Sequence, residues 1–207
     1  MPELKKSGLL IFLRPLASGI LSFFIGGILA AMLVLWLDTF LLETILAGVV
    51  GGFLLGLLSG NVRDVLKFTL AGLVALPTGF WGGFGLAAGV FSVPVIHGLF
   101  GNPHIPDIIG IILMGILTGA LFAAALYGRR AIPYFSLAGG LGSLPFGILV
   151  AAMNSDSRIR TSLAVSFRIF GSIDLNLLAI ITGLGCGLGL GLGLYQMFRE
   201  EKNVQTD

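Results

Sequence analysis

The chain has 207 residues, 56% hydrophobic and 11% charged, with a formal net charge of +2. Soluble domains carry about 25% charged residues, so this composition cannot cover a water-facing surface, and so small a net charge gives no electrostatic pull toward nucleic acid. A mean hydropathy of +1.03 and several apolar runs of roughly 20 residues predict an all-α polytopic membrane protein. A transmembrane β-barrel needs segments of about ten alternating residues with a polar lumen face, and these runs are longer and apolar on every side.

The runs predict six transmembrane helices in one membrane domain, at about 15–37, 43–60, 67–91, 107–127, 132–153 and 174–198. The first span follows Lys5, Lys6 and Arg14 and carries Leu16-Ala17-Ser18-Gly19. It is too long for the apolar core of a cleavable signal. The second leads into a short basic turn, Gly60-Asn61-Val62-Arg63. The third contains Phe68-Thr69-Leu70-Ala71-Gly72 and then Leu76-Pro77. Its apolar run continues to Phe100, so the stretch from Gly85 to Phe100 is expected to bend into the interface or re-enter.

His97, His104 and Asp107 follow on one loop. Zinc takes three or four ligands in a tighter pattern, so they read as ordinary loop residues. The fourth span ends in Gly128-Arg129-Arg130. The fifth contains Phe135-Ser136-Leu137-Ala138-Gly139 and then Leu144-Pro145. The segment 158–169 alternates apolar and polar residues in strand fashion. It also places Ile159, Leu163, Phe167 and Phe170 on one helical face, and an interfacial helix with arginines toward headgroups is the favoured reading. The sixth span carries glycine at every second position from Gly183 to Gly193: Gly183, Gly185, Gly187, Gly189, Gly191 and Gly193.

Spans two–three and four–five read as two copies of one hairpin, parallel about an axis along the membrane normal. Spans six and one are expected to form a third, circularly permuted copy, giving a glycine-rich pseudo-threefold bundle. The alternating glycines form two helix-packing stripes at small-xxx-small spacing. Span six is expected to pack directly against span one, with Gly185, Gly189 and Gly193 at a helix contact. Nine basic residues (Lys5, Lys6, Arg14, Arg63, Lys67, Arg129, Arg130, Arg199, Lys202) fall on one side. Arg158, Arg160 and Arg168 fall on the other. The bias predicts a plasma (inner) membrane protein with both termini cytoplasmic.

Between the span ends there is no Asp, Glu, Lys or Arg, which argues against a buried proton relay or acid–base catalysis. There is no Walker A, GxSxG or HExxH motif either. The chain is therefore expected not to be an enzyme and to need no cofactor or metal. The glycine alternation is similar to the first helix of the rotary ATP synthase ring subunit. That family also carries a mid-helix carboxylate in its second helix, which these spans lack, so the likeness stops at packing. In size and span count the chain resembles the substrate-binding components of energy-coupling-factor importers, which implies a partner ATPase.

The functional expectation is a transport or solute-binding subunit for a small, largely neutral solute, in contact with the lipid bilayer and with membrane or ATPase partner subunits. Its candidate solute-pathway residues are Pro77, Thr78, Ser92, Ser143 and Pro145, where kinks free backbone carbonyls and hydroxyls stand close by. A structural or assembly subunit of a larger membrane complex is the alternative.

Overall fold

The computed structural model describes residues 2–37, 40–59, 64–93, 104–159 and 177–204. Six long helices account for most of them: α1 (Pro2–Leu37), α2 (Phe40–Leu58), α3 (Val65–Phe91), α4 (Ile105–Leu126), α5 (Ile132–Ser155) and α6 (Leu177–Val204). All six contain a stretch long and apolar enough to cross a membrane. The protein is thus an all-α, multi-pass membrane protein, and among the described residues there is no strand. The segments 94–103 and 160–176, where a re-entrant bend and an interfacial helix are expected, lie outside the described residues. Where α3 is described, it runs unbroken through Gly85 and Gly89 to Phe91.

The element ends follow local chemistry. Pro106 and Pro133 sit in the first turns of α4 and α5, where a missing N–H costs nothing. At the end of α4 the N–H groups of Tyr127 and Gly128 both donate to the Ala123 carbonyl. Gly128 then takes φ 80°, a left-handed turn that glycine enters without a Cβ penalty. A three-residue 3-10 turn (Arg129–Ala131) leads directly into α5.

The helices close into a ring in chain order, each packed on its two sequence neighbours, with α6 packed back on α1. α6 also approaches α4 and α2 across the middle. The outside is apolar: Leu66, Leu70, Val74, Leu137, Leu141 and Ile148 are all more than half exposed. Such a surface requires hydrocarbon around it.

Within a bilayer, burying one more leucine gains little, so helices associate by packing and weak backbone contacts. Here the packing is built on glycine. Gly48 of α2 faces Gly72 of α3, Gly115 of α4 faces Gly139 of α5, and Gly187 of α6 faces Gly19 of α1. In each pair a Cβ added to either residue would collide with the other's carbonyl oxygen. Close Cα–carbonyl approaches of this kind allow weak Cα–H···O contacts.

The register repeats one turn along. Gly52 lies against the Phe68 carbonyl, Gly119 against the Phe135 carbonyl and Gly191 against the Pro15 carbonyl. The three hairpins α2–α3, α4–α5 and α6–α1 therefore pack in one register. The two glycine stripes of α6 meet different neighbours. Gly183, Gly187 and Gly191 face α1, while Gly185, Gly189 and Gly193 face Ser143, Gly139 and Phe135 of α5.

Candidate functional site

Counting from the paired glycine defines equivalent positions on α2, α4 and α6. Five residues before it stand Glu43, Gly110 and Thr182; one before it, Ala47, Met114 and Cys186. Three after it come Gly51, Thr118 and Leu190; seven after it, Leu55, Phe122 and Leu194. All twelve are buried. They span about 18 Å of helix, and their polarity changes along that length. The half that begins at Glu43 and Thr182 carries a carboxylate, hydroxyls and the Cys186 thiol. The last register is wholly aliphatic and aromatic.

Glu43 is 1% exposed and lies in the first turn of α2, inside a candidate span running Leu41–Leu58. The sequence reading treats it as a span boundary; the structure puts a carboxylate inside the bundle. A helix N-terminus favours a negative side chain, which eases but does not remove the cost of burying it. Intramembrane carboxylates are rare and mark ion or proton pathways by default. Glu43 thus places one carboxylate among the buried faces, where the sequence reading expects no interior charge.

Thr118 lies beside the Cys186 thiol, so α4 and α6 meet through polar atoms near the middle of the ring. The Thr118 hydroxyl also rests against Gly79 of α3, and the Ser143 hydroxyl against Gly115 of α4. Neither oxygen meets hydrogen-bond geometry with a described group. Ser22, equally buried, instead donates back to the Ser18 carbonyl at 2.6 Å. Such back-bonding satisfies a hydroxyl within its own helix.

The five residues predicted to line a solute path do not come together. Ser143 is fully buried and Pro77 half-buried, but Thr78, Ser92 and Pro145 are exposed on the outside. Thr78 on α3 and Pro145 on α5 are on helices separated by α4 in the ring. None of the five lines either of two grooves on the outer surface, of about 400 and 540 Å³. Asp107 accepts a hydrogen bond from Asn154 at 2.8 Å, tying α4 to α5. His97 lies outside the described residues, and among those described no group of three metal-ligating side chains forms.

Glu43, Thr118 and Thr182 are among the interior polar residues that sequence reasoning passes over. A signal for them exists: each stands three or five residues from a glycine of a small-xxx-small pair, on the side turned inward. Among known proteins, no family model, no curated sequence and no solved structure matches this chain.

Proposed function

We propose that this multi-pass membrane protein is a transport or solute-binding subunit for a small, largely neutral solute that moves together with a proton or small cation held at Glu43. One observation carries the reading: on the buried faces of α2, α4 and α6, Glu43, Thr182, Cys186 and Thr118 all fall in the three registers nearest the Glu43 end. Beyond that, Leu55, Phe122 and Leu194 close the ring with apolar bulk. A stretch of interior with polar groups that ends at apolar bulk is one way to hold water and solute on one side. The basic residues favour the Lys67 and Arg129 end as cytoplasmic, so the Glu43 half would face outward in the inner membrane. Coupling through Glu43 also removes the need for a partner ATPase.

A second reading, a structural or assembly subunit, has a narrower basis. The glycines of α6 are consumed in contacts within the chain. Only Gly85 and Gly89 of α3, four residues apart on an exposed face, have open space at the Cβ position among the described helical residues.

The experiment is proton flux into proteoliposomes carrying an internal pH-sensitive dye, driven by a potassium–valinomycin potential. The full-length protein is expected to support flux above empty liposomes, and Glu43→Gln to abolish it. Glu43→Gln keeps the side chain's size while removing its charge, and detergent gel filtration reports whether the variant is folded. Flux unchanged by Glu43→Gln in a folded protein would remove Glu43 from the pathway.

A further inference from the structure

The larger outer groove, about 540 Å³, runs along the seam between α3 and α4. Its floor is Ala71 and Ala75, both nearly fully buried, and its walls include Leu70 and Val74 on α3 and Ala125 on α4. At one end stands Lys67. The groove between α4 and α5, about 400 Å³, has a similar apolar character but no charged residue among its lining. Of these two slots on the same hydrocarbon-facing surface, one has a cation at its mouth and the other does not.

Arg129 and Arg130, both exposed, lie in the turn just beyond α4 at the same end. Lys67 is held by Asp64 at 2.9 Å, but its side chain remains 69% exposed. The Asp64 side chain forms no capping bond to the first turn of α3. The local charge still favours an anion: three cations against one carboxylate.

We propose that this groove binds an anionic phospholipid, with an acyl chain along Ala71 and Ala75 and the phosphate at Lys67, where it competes with Asp64. The slot suits a chain because its floor is methyl-sized and its walls are branched aliphatics. The headgroup selectivity comes from the basic residues, since a cation near a membrane surface contributes attraction to anionic lipid. This site is independent of the solute path.

The test is native mass spectrometry of the full-length protein in mild detergent, with phosphatidylglycerol and phosphatidylcholine of matched chains. The wild type is expected to retain phosphatidylglycerol preferentially. Lys67→Gln is expected to lower the phosphatidylglycerol-to-phosphatidylcholine adduct ratio about fivefold, the equivalent of one surface cation. Asp64→Asn, which frees Lys67, is expected to raise it. Ala125→Leu, which narrows the slot, is expected to reduce adducts of both lipids. An unchanged ratio in Lys67→Gln overturns the proposal. So does a wild-type dimer that Ala125→Leu dissociates while lipid adducts persist, because the groove would then be a contact between chains.

Discussion

Gly139→Ala is expected to destabilise the folded protein by about 3 kcal/mol, at the upper end of ordinary overpacking. The added Cβ would meet the Gly115 carbonyl oxygen and, at 2.8 Å, its carbon. Both are backbone atoms of a helix, so no rotamer change makes room; α4 and α5 must separate along the whole seam. The same reasoning holds for Gly19, Gly48, Gly72, Gly115 and Gly187, the other members of the three reciprocal pairs.

Gly85 and Gly89 provide the contrast. Nothing lies within 4 Å of a Cβ at either position, and alanine is the better helix former by roughly 1 kcal/mol. Gly85→Ala and Gly89→Ala are therefore expected to be neutral or slightly stabilising. Denaturation in mixed detergent micelles, followed by circular dichroism, reads both signs. Equal losses at Gly139 and Gly89 would mean that glycine acts through helix flexibility and not through close approach.

Phe122→Ala should carry the second large effect, a loss of about 2–4 kcal/mol. Phe122 is fully buried in the last register with Leu55 and Leu194. Its ring packs edge-on against Phe68 with centroids 5.7 Å apart. In a bilayer the hydrophobic transfer contribution nearly vanishes, because lipid is as apolar as the core. What remains is the cavity and the lost dispersion contacts, which is why the loss falls somewhat below the roughly 3–5 kcal/mol of buried aromatics in soluble cores. If Leu55, Phe122 and Leu194 form the apolar barrier of the proposed solute path, Phe122→Ala should also raise the basal proton leak in the same liposomes. A variant as stable as wild type would show that this register is loosely packed and closes nothing.

The span pattern was legible because hydropathy over roughly 20 residues is a strong signal. The ring order was hinted at by Gly19, Gly72 and Gly139, each ending a short Leu-Ala-containing motif, and these are the glycines found in the three pairs. Facing was harder to read. Glycine at every second residue produces two stripes on a helix, and nothing in Gly183 to Gly193 says which stripe meets α1 and which meets α5. The answer depends on where Gly19 and Gly139 lie on the partner helices. Thr78 and Pro145 attracted attention as polar or kinking residues in apolar spans, but residue type does not fix direction. Thr78 is one position from buried Gly79, and about 100° of helix rotation separates adjacent residues. Glu43 was missed for a different reason. A charge at the edge of an apolar run is naturally taken as the run's end, whereas helix capping and tertiary cover allow it a turn inside.

Closure of the ring by α6 on α1 is the claim on which the packing and the proposed solute path both depend. Phe12 of α1 and Tyr195 of α6 meet edge-to-face with centroids 4.9 Å apart. The direct measurement is oxidative cross-linking of Phe12→Cys with Tyr195→Cys in a Cys186→Ala background, in native membranes at low expression. The predicted result is an intramolecular disulfide: a monomer band with faster mobility that reverts on reduction. Dimers formed only by the double variant, with no shifted monomer, would contradict it, because α6 would then close on the α1 of another chain.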